Sequence, residues 1–559
     1  MTTPPQPGSR PPLRKLSFVI GAIALTVVSL ALVFALSPLY SRGLARLFVL
    51  EGASDYTAGR DRPAVLILTQ AIALDPSDGD AYSARGSAYY RLGLFPPALS
   101  DFEQAVRLNP NSARAYYNRG DAYSQLGQFD AAIADLDRAI DLNPNDEKAY
   151  NDRGAVYLAQ GAYDKALADF NQALQINGNN AEAYCNRGLA QLHLGQTDAA
   201  LDSFNQALQV DPDNITAYQD RALYYLEKGN SDAALADYSS IIRLKPDNAQ
   251  AYHSRGLAYL EKNDPKDAIT DFNQAITLNP KFGAAYSARG QAYSQDGDFD
   301  KALADFNQAL QINPNDAGAY SDRGLTYLGH ARYNDALSDF NRALQLNPGI
   351  SSAYFTRGLT YSGLGKPDLA VTDFDHAILM DPKAAPYYIA RGEAYGQKNQ
   401  LDRAITDFNQ ALTLDPNNSS VFADRALAQA KLGAYGNAIA DCESAIKLNA
   451  GLGEAYNNLA WILATCPQAK YRDGKKALAA ATQACKLSEW KVPTSLDTFA
   501  AACAEAGDFT GAVKWEQIAI AAPGMSPSDI ADARKRLLLF QAHKTYQEQP
   551  DQAPAPFTN

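Results

Sequence analysis

The residues of this chain best suited to chemistry are its five histidines and five cysteines, and their spacing gives them no shared task. His193, His253, His330, His376 and His543 lie far apart, and no His-Glu-x-x-His places two imidazoles on one helical face, where a zinc ion would need them. The cysteines form no Cys-x-x-Cys. Cys442 and Cys503 stand in apolar slots, as buried small hydrophobes do. Cys466 and Cys485 are placed to approach each other in an oxidising compartment, and the odd total leaves at least one thiol free. Gly363-Leu364-Gly365-Lys366 has the glycines and lysine of a phosphate loop, but Pro367 occupies the place of the hydroxyl that would hold magnesium. These patterns predict no catalytic residue, no metal, no cofactor and no small-molecule substrate.

What positions these residues is a repeat. Arg289-Gly290 recurs at steps of 34 as Arg85-Gly86, Arg119-Gly120, Arg153-Gly154, Arg187-Gly188, Arg255-Gly256, Arg323-Gly324, Arg357-Gly358 and Arg391-Gly392, with Arg221-Ala222 and Arg425-Ala426 in the same register. A period of this size means stacked supersecondary units, because one such unit cannot bury its own apolar face. The unit is helical. In the copy at residues 283–316, Tyr286, Gly290 and Tyr293 share one helical face and Ala302, Phe306 and Ala309 another, with Gly297 between them.

This order of Tyr, Gly and Tyr, then Ala, Phe and Ala, then Pro314, resembles the tetratricopeptide repeat, over residues 45–526. The resemblance implies an all-α fold, a right-handed superhelical solenoid of about fourteen helix-turn-helix repeats. Residues 45–78 are a degenerate capping copy, residues 79–452 are eleven regular copies, and residues 453–526 are two divergent ones, the first with an insertion near 467–475. Residues 527–547 read as an amphipathic helix closing the open end, and residues 548–559 as a loose tail.

The conserved phase gives each slot a physical cause. A glycine inside a helix costs about 1 kcal/mol relative to alanine, so its recurrence requires a close neighbour, expected to be the Ala of the second helix. Pro314 ends one helix, and Asn315 or Asp316 caps the next. The arginine before the glycine departs from the apolar slot usual in the repeats it resembles. An aspartate beside the Phe slot keeps the same period, so Arg289 either pairs with Asp305 or Asp271, or both charges are solvated and recur by duplication alone.

The net charge of -12 argues against nucleic acid as a partner, since that binding relies on Lys and Arg displacing counterions from phosphates. Residues 1–15 read as a disordered tail. The 26 residues at 16–41 carry no charge and as a helix would reach about 39 Å, enough for a hydrocarbon core of about 30 Å. They read as a transmembrane signal anchor, giving a single-pass membrane protein; a cleaved signal peptide and a helix packed under the first repeat are the other readings. Arg10, Arg14 and Lys15 before the span against Arg42 and Arg46 after it favour, slightly, an array outside the cytoplasm.

The resemblance implies a scaffold that holds a peptide or helix of a partner protein in a concave groove walled by the first helices. The other function class is a substrate-recruiting or regulatory subunit of an enzyme whose catalytic domain is on another chain. Leu189 and Leu192, Leu223 and Leu226, and Leu257 and Leu260 form a candidate binding stripe, unless they pack between neighbouring first helices. Asn118 and Asn186, alternating with Asp152 and Asp220, weakly resemble an asparagine ladder that holds peptide backbones.

Overall fold

The computed structural model describes residues 38–548. Most of the uncharged run at residues 16–41 therefore lies outside the described residues, as do the expected tail at 1–15 and all but Glu548 of the expected tail at 548–559. The last residues of the run open the helix Pro38–Thr57, which starts seven residues ahead of the expected first repeat at 45. Among the described residues, no helix is long and apolar enough to cross a membrane.

The described residues form 29 α-helices and one short 3-10 turn, Ala469–Tyr471, in a chain of helical hairpins joined by short turns. Two compact units divide it, Met1–Lys262 and Asn263–Asn559. Within each unit a first helix of the regular copies, such as Ala113–Gln125 or Gly283–Asp296, packs on its second helix, Phe129–Leu142 or Phe299–Ile312. Within each unit the second helix then packs on the next first helix, so that neighbouring copies there close one another.

Local chemistry fixes the ends of these helices. Asp316, not Asn315, caps the helix Ala317–Gly329, its carboxylate accepting from the Ala319 amide at 3.0 Å. The turn inside a hairpin needs a left-handed residue, supplied by Gly127 at φ 71° and, where glycine is missing, by Asn399 at φ 54°.

The core is the Ala-Phe-Ala face of each second helix. Ala302, Phe306 and Ala309 are buried, and Tyr286 packs beside Ala309, Leu310 and the next copy's Ala319. The glycine of the first helix faces the Phe ring rather than the expected alanine. A Cβ at Gly290 would sit 2.9 Å from Phe306 Cε1, and one at Gly188 would sit 2.5 Å from Phe204 Cε1. The ring edge lies against the backbone here, and a methyl would need the ring to move.

The C-terminal end departs from the expected boundaries. The closing helix is Pro527–Gln541 and stops six residues short of 547. His543 turns left-handed at φ 54°, the Lys544 amide donates back to Leu539 O, and the chain runs on so that the Glu548 amide donates to Thr465 O at 2.8 Å. Tyr546 against Trp461, with ring centroids 6.1 Å apart, gives that return its apolar anchor. The insertion is held by Arg472, which donates to Cys466 O at 2.8 Å and to Glu505 at 3.0 Å.

Candidate partner-binding face

The recurrent arginine is a staple. Arg289 Nε and Nη2 donate to the two carboxylate oxygens of Asp305, both at 2.7 Å, and Nη1 reaches Asn273 on the second helix of the preceding copy. The partner is therefore the aspartate of its own copy, and Asp271 is not the one used. The same bidentate clamp joins Arg85 to Asp101, Arg119 to Asp135, Arg153 to Asp169, Arg221 to Asp237 and Arg357 to Asp373. This hydrogen bond is the main cause of the upward shift in the Arg289 pKa, and it keeps the guanidinium charged although it is half-buried. Arg187 is the exception. Ser203 stands in the aspartate slot, Arg187 Nε donates to its hydroxyl at 3.0 Å, and burial lowers the Arg187 pKa.

The clamped arginines are engaged by the second helices, and the first helices carry carboxylates of their own beside them, Asp152 next to Arg153 and Asp121 two residues after Arg119. Asp121 accepts from the Tyr90 hydroxyl at 2.8 Å and Asp152 from the Tyr117 hydroxyl at 2.7 Å, each bond crossing from one first helix to the next. Gln291 donates to Asp322 at 2.6 Å in the same way. Burial pushes the carboxyls of Asp152 and Asp220 up to about 6 and that of Asp424 up to about 7. Asp220 Oδ2 is buried with no hydrogen-bond partner.

The ladder residues are already employed. Asn118 Nδ2 donates to Ser83 Oγ at 3.3 Å, and Asn186 Nδ2 donates to Asn151 Oδ1 at 3.2 Å, in both cases toward the preceding first helix. Their amides stitch repeat to repeat.

The leucine stripe separates into two slots. Leu192 and Leu189 pack on the group formed by Ala200, Phe204 and Tyr224, Leu226 packs beside Tyr238 and Ile241, and Leu260 is half-buried. Leu223 and Leu257 instead stand 54% and 38% exposed. Leu325, in the same slot of a later copy, is 43% exposed. It follows Leu257 at twice the repeat length, and the intervening Gln291 hides the series from a search for consecutive pairs.

Histidines and cysteines serve packing. His193 stacks on Tyr163 at 4.4 Å between ring centroids, and His543 on Phe509 at 5.2 Å. Among the described residues no cluster of His, Cys, Asp and Glu has the arrangement of a metal site. Cys466 and Cys485 are both free thiols and do not approach each other as a pair: Cys466 packs beside Cys442 and Ile462, while the Cys485 thiol donates to Ser495 O at 3.3 Å. Gly363 to Lys366 is the turn between Ser351–Gly363 and Pro367–Met380.

Family models described as tetratricopeptide repeat or TPR repeat match residues 79–112, 102–134, 120–161, 156–195, 181–214, 219–280, 253–317, 290–354, 351–383 and 392–433, together more than half of the chain. The chain belongs to the tetratricopeptide repeat family. No curated protein matches this tetratricopeptide repeat chain. Among solved structures, it is similar to the crystal structure of the APC/C hetero-tetramer Cut9-Hcn1, at 15% identity and a TM-score of 0.45, over 82% of this chain and 95% of that one. It is also similar to YrrB, described as a TPR protein with an unusual peptide-binding site, at 24% identity and a TM-score of 0.29 over 34% of this chain and 97% of that one. A tetratricopeptide repeat protein from Parabacteroides merdae matches at 22% identity and a TM-score of 0.35, over 51% of this chain and 98% of that one. As a tetratricopeptide repeat protein, the chain is an interaction scaffold, with protein or peptide partners.

Proposed function

We propose that this protein is a membrane-anchored docking scaffold whose first-helix face holds a segment of a partner protein. The exposure of Leu223 and Leu257 carries this reading: two large apolar side chains, one repeat apart on successive first helices, stand in water although the slot beside them is packed. A partner segment with apolar anchors spaced to match would cover them. The chain supplies no catalysis in this reading. The uncharged run at residues 16–41 is the proposed anchor, with the array outside the cytoplasm.

Two measurements test this. Photo-crosslinkers placed at Leu223 and Leu257 should trap one recurrent partner, and capture should be lost when both are replaced by Ser, with helicity and melting unchanged. Retained capture in that variant, or a large loss of stability, rules the slot out as a docking surface. Alkaline extraction should leave the full-length chain with membranes, and its release would remove the anchor.

A further inference from the structure

Two slots of the first-helix face change together in the second unit. The packed slot held by Leu192, Leu226 and Leu260 becomes Ser362, Gly396 and Ala430, and the slot held by Leu189, Leu223 and Leu257, of which the last two are exposed, becomes Glu393 between Leu359 and Leu427. Loss of the leucine side chains opens a groove of about 620 Å3 over an apolar floor of Leu401, Phe408, Leu427 and Ala428. Packing does not demand the glycine. A Cβ at Gly396 would meet nothing within 4 Å, and its backbone is not left-handed.

Charge enters where volume leaves. Glu393, Asp424 and Glu454 line the groove, and among the described residues none of the three has an ion-pair partner. Lys431 is the single cation on the wall, and it faces Glu548 of the returning C-terminal segment. We propose that this groove takes a segment of a partner protein that carries Lys or Arg side chains between apolar residues. The apolar side chains replace the missing leucines on the floor, and the cations meet three carboxylates that the chain itself leaves uncompensated. Burial, with Glu454 and Glu393 adding repulsion, already strains the charged form of Asp424, so an arriving cation relieves a cost present in the free protein. The occupant's charge is the inference; that a partner segment docks on first helices rests on the function proposed above.

Anisotropy of fluorescein-labelled peptides added to the full-length protein tests it, using a segment of about twelve residues that alternates Lys with Leu and Ala, and its Glu counterpart. The Lys peptide should bind and the Glu peptide should not, with binding weakened as salt rises from about 50 to about 300 mM. The triple variant Glu393→Gln, Asp424→Asn, Glu454→Gln should bind the Lys peptide at least about 10-fold more weakly. Gly396→Leu, which restores the side chain of earlier copies, should weaken it comparably at an unchanged melting temperature. Equal binding of the two peptides, no binding of either, or a triple variant with wild-type affinity overturns the proposal. If the crosslinked partner is still captured by the triple variant, this groove is not its seat, while docking at Leu223 and Leu257 stands; loss of that capture only in the leucine variant separates the two.

Discussion

Arg289 and Asp305, on the two helices of one repeat, meet through two parallel hydrogen bonds of 2.7 Å, with the carboxylate almost wholly buried. A buried charge tolerates the loss of its partner poorly, because the desolvation already suffered is no longer offset. Asp305→Asn keeps the shape and removes the charge. It should lower stability by about 1.5–3 kcal/mol, the range for a hydrogen bond to a charged group. Hydrogen exchange should show the lost protection concentrated in the hairpins around residue 305, since each repeat contacts only its neighbours. Unchanged protection there would mean the pair contributes nothing.

The copy that lacks the clamp offers the reverse experiment. Ser203 occupies a slot that is aspartate in neighbouring copies, and Arg187 keeps only hydroxyl and amide partners. Ser203→Asp should restore the bidentate pair and raise stability by about 1 kcal/mol. A lower denaturation midpoint would show that the Ser203 hydroxyl's bond to Gln191 at 2.7 Å matters more.

Stability should fall as pH rises. The carboxyls of Asp152 and Asp220 are pushed up to about 6 and that of Asp424 to about 7, against an unfolded value near 4, so the folded chain binds more protons across that window. The unfolding free energy therefore declines from about pH 4 to about pH 7 and these groups add no further slope above it. Asp424 is faced by Glu393 and Glu454, whose own pKa values rise in the same direction, with Lys431 on the groove wall. Melting curves of Asp424→Asn should show a shallower decline than the native chain; parallel curves would assign the slope elsewhere.

The C-terminal closure rests on a buried charge cluster. Arg536 donates to Asp497 at 2.5 Å and to Glu516 at 3.2 Å, and all three are buried. Burial, then the neighbouring Asp497 charge, raises the Glu516 pKa strongly, which favours a neutral carboxyl at Glu516 beside the Arg536–Asp497 pair. Glu516→Gln should then change stability little at neutral pH, whereas Arg536→Met should cost about 3–5 kcal/mol in the last hairpins by stranding Asp497. A large loss in the Gln variant would show that Glu516 is ionised.

The period of 34, the helical hairpins and the shared period of Arg and Asp could be read from the chain alone, because each depends on residues within one repeat length, whereas the partner of Arg289 and the choice of Asp316 over Asn315 as cap were decided by the structure. Asp305 and Asp271 keep the same period relative to Arg289, and the short turn that sets how the two helices of one copy face each other selects Asp305. Which way a first-helix side chain points is a different matter. Leu223 and Leu226 are the same residue type three positions apart, and only the neighbouring helices decide that one is solvated and the other packed. Asn118 and Asn186 had the form of a peptide ladder, but the preceding first helix reaches their amides first. Cys466 and Cys485 are near in sequence and belong to different packed groups, since the insertion carries its own turn between them. The groove at Glu393, Gly396 and Asp424 was the least legible, because it is made from volume that is missing at Ser362 and Gly396 of two successive copies, and absent side chains leave no pattern until neighbouring helices enclose the space.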